Sequence, residues 1–184
     1  ALWAVIKADA YGHGLMRAAE ALDDLADGYA LLDLDDAVAL REAGFRQPIL
    51  LLEGFFEAYE LPLFAEYGLT PVVHTLEQAE MLTSSALPAR LPVYLKLNTG
   101  MNRLGMTISE AQGLIPRINA GDHGITLVMS HLASADNPAD PKNRDQLLAF
   151  ETLTALFPRV PRSLAASDGL MLGPQYHFDL VRPG

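Results

Sequence analysis

The chain contains no cysteine. Disulfides and thiolate metal sites are therefore excluded, and the composition is compatible with a reducing cytoplasm. No apolar run approaches the roughly 18 residues that a membrane-spanning helix needs. Positive charge is scarce: 13 Lys and Arg stand against 23 Asp and Glu, for a net charge of −10. An acidic chain repels phosphate backbones, so nucleic acid is not an expected partner. Neither a glycine-rich dinucleotide fingerprint nor a P-loop occurs. Histidines and carboxylates do not recur at ligand spacing, so no metal site is expected. Low-complexity segments, linkers and internal repeats beyond a strand–helix rhythm are also lacking.

What is present is 184 residues, half of them hydrophobic and a fifth charged. That is enough to bury a substantial core. The chain begins within an apolar run, Ala1–Ile6, and ends on Val181-Arg-Pro-Gly184. It reads as a fragment cut at both ends from a longer protein. Eight β-rich runs are predicted: Ala4–Lys7, Tyr29–Leu32, Ile49–Leu52, Pro71–His74, Val93–Leu97, Ile125–Ser130, Ser163–Ala166 and Phe178–Val181. Their apolar character is nearly continuous, as in parallel strands buried on both faces. Helical patterns fall between them at Leu15–Leu25, Asp35–Ala43, Leu76–Leu82, Ile108–Ile118 and Asn143–Phe157, with weaker ones at Glu57–Tyr67 and Asp168–Leu172. Thr75 reads as an N-cap and Gly44 as a helix stop. Eight such runs with crossovers predict an α/β fold, a (β/α)8 TIM-type barrel. The usual size of that fold is about 250 residues, so at least one outer helix is missing. A doubly wound open sheet is the alternative.

Chemistry in a barrel sits at the C-terminal ends of the strands. Lys7 ends the first run, Lys96 and Asn98 the fifth, Ser130 and His131 the sixth, Ser167 the seventh, and Arg182 and Gly184 the eighth. Burial at a strand end would lower a lysine's pKa and free its amine for Schiff-base chemistry. Alternatively, Lys7 snorkels to solvent. The loop Ala8-Asp-Ala-Tyr-Gly-His-Gly14 leads into a helix, and its backbone can approach an anion closely.

The stretch Ala4-Val-Ile-Lys-Ala-Asp-Ala-Tyr-Gly-His-Gly14 resembles the pyridoxal-phosphate lysine signature of bacterial alanine racemases. Four more stretches resemble that family in the same order: Leu95–Gly105, Met129–Asp136, Arg162–Ser167 and His177–Gly184. The resemblance implies that residues 1–184 form a pyridoxal-phosphate-binding barrel domain, that a C-terminal β domain follows in the parent, and that the reaction interconverts L- and D-alanine for the bacterial cell wall in the cytosol. It implies that Lys7 carries the cofactor as a Schiff base and acts as one of two bases. By the same resemblance Tyr11, Ser167 and Gly184 hold the cofactor phosphate, Arg182 faces its ring nitrogen, Arg103 its phenolic oxygen, and His131 its ring. Lys96 would orient Arg103 and can be carbamylated. Asn98 stands where many family members carry aspartate, which would make that wall less negative. The second base would come from the β domain of a partner subunit, in a head-to-tail homodimer.

Plainer readings stand beside these. Ser167 could cap the following helix, and Arg182 could pair with Asp179 at the rim. Leu51–Phe56 is read as strand and packing, Asp33–Asp36 as a helix N-terminus, and His13, His74, His123 and His177 as residues without a defined role. Other functions on the same fold are a broad-specificity amino-acid racemase, a small pyridoxal-phosphate homeostasis protein, a decarboxylase and a Schiff-base aldolase.

Overall fold

The computed structural model describes residues 1–120 and 124–184, the side chains of 115–120 excepted. His123 therefore lies outside the described residues. Among the described residues, seven parallel strands run in chain order: β1 (Trp3–Val5), β2 (Gly28–Leu31), β3 (Ile49–Leu51), β4 (Leu69–Val73), β5 (Pro92–Lys96), β6 (Gly124–Met129) and β7 (Arg162–Ser163). Each pairs with the next, so every crossover connects neighbours. The predicted eighth run, Phe178–Val181, is not a strand. Phe178 takes a left-handed φ of 52°, and its ring instead meets Phe150 edge-on at 5.1 Å and lies under Arg162. The pairing begins three residues later. Trp3 and Val5 donate to the carbonyls of Val181 and Pro183, while Arg182 donates to Ala165. This segment thus bonds to β1 on one side and to the chain beyond β7 on the other.

Successive strand residues point to opposite faces. Trp3, Val5, Ala30, Leu50, Val72, Tyr94, Leu127, Met129 and Leu180 fill the inner face. Their neighbours Ala4, Tyr29, Leu31, Ile49, Leu51, Val73, Val93 and Leu95 join the larger core under the helices. Both faces are buried, which explains the unbroken apolar runs. Trp3 and Tyr94 stack with ring centroids 5.4 Å apart. Gly28 is required beside Trp3, since a Cβ there would lie 2.7 Å from the indole.

The connections carry α1 (Lys7–Tyr11), α2 (Leu15–Leu22), α3 (Leu34–Glu42), α4 (Leu61–Glu66), α5 (Leu76–Ser84), α6 (Ile108–Ala120), α7 (Pro141–Thr154) and α8 (Ser167–Met171). The expected cap at Thr75 forms, its hydroxyl accepting from Gln78 N. Thr107 and Glu110 bond reciprocally at the start of α6. Pro62 sits in the first turn of α4, where its missing N–H costs nothing. Asp140 caps α7 two residues earlier than the pattern suggested.

α1 is unusual. Ala8, Asp9, Ala10 and Tyr11 all have φ of 52–54°, so this turn is left-handed. Such backbone costs about 1–2 kcal/mol per non-glycine residue. Asp9 offsets part of that cost by accepting from Leu15 N at 2.7 Å through Oδ1. The turn carries Lys7 and Tyr11 together to the mouth of the barrel.

Candidate active site

A cavity of about 210 Å³ opens at the C-terminal ends of the strands. Lys7, Tyr11, Arg103, His131, Ser167, Arg182 and Gly184 all line it, together with Lys96 and Glu53. The seven residues expected to hold the cofactor are therefore brought to one place, while Asn98 and Ser130, also expected at the strand ends, do not line the cavity. Val5 and Met129, from the inner core, form part of its wall.

The buried lysine at this mouth is Lys96, not Lys7. Lys7 is only half-buried, whereas Lys96 is 7% exposed. Burial brings the Lys96 ammonium down to about 8, with the charges of Arg182, Arg103 and Lys7 adding to the effect and Glu53 opposing it. His131 is pushed down to about 3, first by burial and then by Arg182, Lys96, Arg103 and Lys7. Its imidazole is thus neutral at physiological pH.

Arg182 is a buried cation, 3% exposed, and burial lowers it to about 10. It donates to Ser163 Oγ and, at 2.7 Å, to the Ser130 carbonyl. The rim pairing with Asp179 does not occur; Asp179 lies 3.9 Å from Arg162 instead. Arg182 is held by neutral acceptors on β7 and at the end of β6, which orient it without neutralising it.

Ser167 does not cap α8, whose N-cap is Ala166 without a side-chain bond. Its hydroxyl donates to Gly184 O at 2.8 Å and accepts from Gly184 N at 3.0 Å. Gly184 packs so closely that a Cβ would lie 2.6 Å from Tyr11 Oη and 2.8 Å from Val5 Cβ. Two hydroxyls and a backbone N–H therefore converge at one corner of the cavity. Partial burial raises the Tyr11 phenol, keeping it a hydrogen-bond donor.

Asn98 is turned away from this wall. It accepts from Gly100 N and Asn102 N at 3.0 and 3.1 Å and donates to Asn102 Oδ1 at 2.9 Å. It orders the loop that carries Arg103. Gly105, at φ 120°, lets that loop return beside Leu97 and Asn98, where a Cβ would lie 2.7 Å from Asn98 N.

Two site residues were not singled out from the sequence. Glu53, read there as packing, is the carboxylate in a lining that carries four basic side chains, Lys7, Lys96, Arg103 and Arg182. Gln146 on α7 is 1% exposed and bonds to His131, Ala133 and Thr99. Its signal was available: Asn143, Gln146, Phe150 and Thr154 fall on one helical face, so two amides occupy positions where apolar residues are the norm. His74 and His177 satisfy backbone carbonyls of Glu53 and Leu170.

Comparison with known proteins gives consistent matches along the chain. The family model described as alanine racemase, N-terminal domain, matches residues 1–184. An alanine racemase of Nitrosospira multiformis is 51% identical over 183 residues, covering 98% of this chain and 51% of that protein. The biosynthetic alanine racemase of Pseudomonas aeruginosa superposes with a TM-score of 0.91 at 37% identity, over all of this chain and 51% of that one. The alanine racemase of Bartonella henselae, solved with covalently bound pyridoxal phosphate, gives 0.89 at 31% identity, over all of this chain and 54% of that one. The chain spans about half the length of the relatives it matches.

Proposed function

The chain belongs to the alanine racemase N-terminal domain family, and we propose that it forms the pyridoxal-phosphate-binding barrel of an enzyme that interconverts L- and D-alanine. The observation that carries this reading is the convergence of Lys7, Tyr11, Arg103, His131, Ser167, Arg182 and Gly184 on one cavity. The donor set fits the cofactor. A primary amine, a corner built from hydroxyls and a backbone N–H, and a cationic wall suit an aldehyde, a phosphate and a phenolate respectively. Gly184 leaves room at that corner because it has no Cβ.

When bound, the cofactor would draw electrons from the Cα–H bond of an attached amino acid. The chain's own residues would do the rest. Lys7 would hold the cofactor through its Nζ and, once released, take or return the Cα proton on one face. Tyr11 Oη, Ser167 Oγ and Gly184 N would bind the phosphate. Arg182 would donate to the ring nitrogen and, being a cation, would leave that nitrogen unprotonated. Withholding that proton weakens the electron sink and favours return of the substrate proton over its loss to other reactions. Arg103 would donate to the phenolate and meet the substrate carboxylate. His131, neutral with its pKa near 3, would pack against the ring without competing for protons.

Racemisation needs a second base on the opposite face of Cα. We assign it to a β domain of a partner subunit in a homodimer, following the barrel in the parent protein. The reading is tested by incubating the protein with pyridoxal phosphate, reducing with borohydride and mapping the modified lysine by mass spectrometry. Label on Lys7 is expected. Label on Lys96 or elsewhere would overturn the assignment.

A further inference from the structure

We infer that Gln146 is a positioning residue whose side-chain amide fixes His131 against the cofactor cavity. The inference rests on the pyridoxal-phosphate reading and names a residue outside the cavity lining. Gln146 lies on α7, one turn beyond Asn143, and is 1% exposed. Its Nε2 donates to the His131 carbonyl at 3.0 Å and to Thr99 Oγ1 at 3.3 Å, while its Oε1 accepts from Ala133 N at 2.8 Å. One amide thus grips the backbone on both sides of Leu132 and sets the direction from which His131 leaves β6.

The grip extends across the sheet. Thr99 Oγ1 lies 2.8 Å from Ser130 Oγ, which donates to the Leu97 carbonyl at 2.8 Å. The loops beyond β5 and β6, which carry Arg103 and His131, are tied through that amide. Gln146 itself is buried and its bonds to Ala133 N and the His131 carbonyl are partly buried, so a variant lacking the amide deprives both backbone groups of their side-chain partner. The cheapest relief is for residues 131–133 to shift. His131 lines the cavity and moves with them.

The test is a double-mutant cycle in the full-length protein, read as the dissociation constant of pyridoxal phosphate from its visible circular dichroism. Gln146→Met is expected to weaken binding about tenfold when His131 is present and by less than about twofold in a His131→Ala background. Gln146→Glu keeps an acceptor for Ala133 N but turns a carboxylate oxygen toward the His131 carbonyl, so it should weaken binding at least as much as Gln146→Met. It also carries the same cycle if Gln146→Met does not fold. Unchanged affinity, or an equal loss with and without His131, would overturn the inference. Borohydride labelling of the wild type separates the two readings. Label on Lys7 without coupling refutes the Gln146 role alone, whereas no label on Lys7 refutes the cofactor reading beneath it.

Discussion

Lys96→Met should stabilise the cofactor-free protein, and by less as the pH rises. The wild-type ammonium is 7% exposed and is surrounded by Arg182, Arg103 and Lys7. Its folded-state pKa of about 8 lies below the ordinary 10.5. A base depressed in this way binds fewer protons folded than unfolded, so wild-type stability rises with pH between about 8 and 10.5, and the full cost is carried below that window. A gap of about 2.5 units corresponds to about 3 kcal/mol near pH 7. By about pH 9.5 the folded lysine is already neutral, and the cost is only that of neutralising it about one pH unit below 10.5, about 1 kcal/mol. Methionine matches the length of the stem and carries no charge. Its packing contribution does not titrate, so the change in the gap between variant and wild type is the quantity that tests the argument. Urea unfolding followed by the fluorescence of Trp3, the single tryptophan, measures both proteins at the two pH values. The advantage of Lys96→Met should shrink by about 2 kcal/mol from near pH 7 to about pH 9.5. A constant or widening gap would refute the claim that Lys96 is folded at an electrostatic cost.

Lys7→Ala should abolish borohydride-stable labelling and the visible absorbance of the bound cofactor. Because Lys7 is only half-buried, the unfolding midpoint should move little; a collapse of the fold instead would mean that Lys7 is structural. Gly184→Ala places a Cβ 2.6 Å from Tyr11 Oη and 2.8 Å from Val5 Cβ. It should weaken pyridoxal phosphate binding at least about tenfold in a titration, equivalent to about 1.4 kcal/mol, and unchanged affinity would remove Gly184 from the phosphate corner. Arg182→Glu sets a carboxylate opposite the ring nitrogen, favours its protonation and should divert turnover of the full-length enzyme towards transamination. Pyridoxamine phosphate measured by chromatography reports this, and an unaltered partition would count against the position given to Arg182.

The strand order and the location of the mouth were legible because period and burial coincide. Residues such as Ala30, Leu50 and Val72 fill the inside of the sheet, while Tyr29, Ile49 and Val73 beside them fill the outside, so the strands read as unbroken apolar runs. The eighth run was misread for a local reason. Phe178-Asp-Leu-Val181 has the composition of a strand, but its phenylalanine is committed to Phe150 and Arg162 and takes a backbone angle no strand allows. The left-handed turn after β1 was also beyond the sequence. Ala8, Asp9 and Ala10 are ordinary helix or loop residues, and the bonds that hold the turn, from Leu15 N to the Asp9 side chain and from Gly12 and Gly14 N to the Asp9 carbonyl, depend on the folded chain.

The site was legible as a set of residues but not as a distribution of charge. Strand-end position identifies Lys7, Lys96, His131 and Arg182, yet it cannot say which of them is buried. Burial places two chemically similar lysines in different environments. Lys96, enclosed and crowded by cations, titrates near 8 and has a substantial neutral fraction in mildly basic solution. Lys7, on a half-exposed turn beside Tyr11, can reach a ligand that enters from the mouth. Arg182 is held by carbonyl and hydroxyl oxygens instead of a carboxylate, so its positive charge remains available to the cavity. With Glu53 as the counter-charge in a lining that bears four basic side chains, the cavity favours a multiply anionic occupant. A phosphate and a substrate carboxylate would together offset the repulsion among these side chains, which would couple binding to the relief of Lys96. Pyridoxal phosphate should therefore raise the pKa of Lys96 as it binds, and the Lys96→Met variant should lose that part of the pH dependence of affinity.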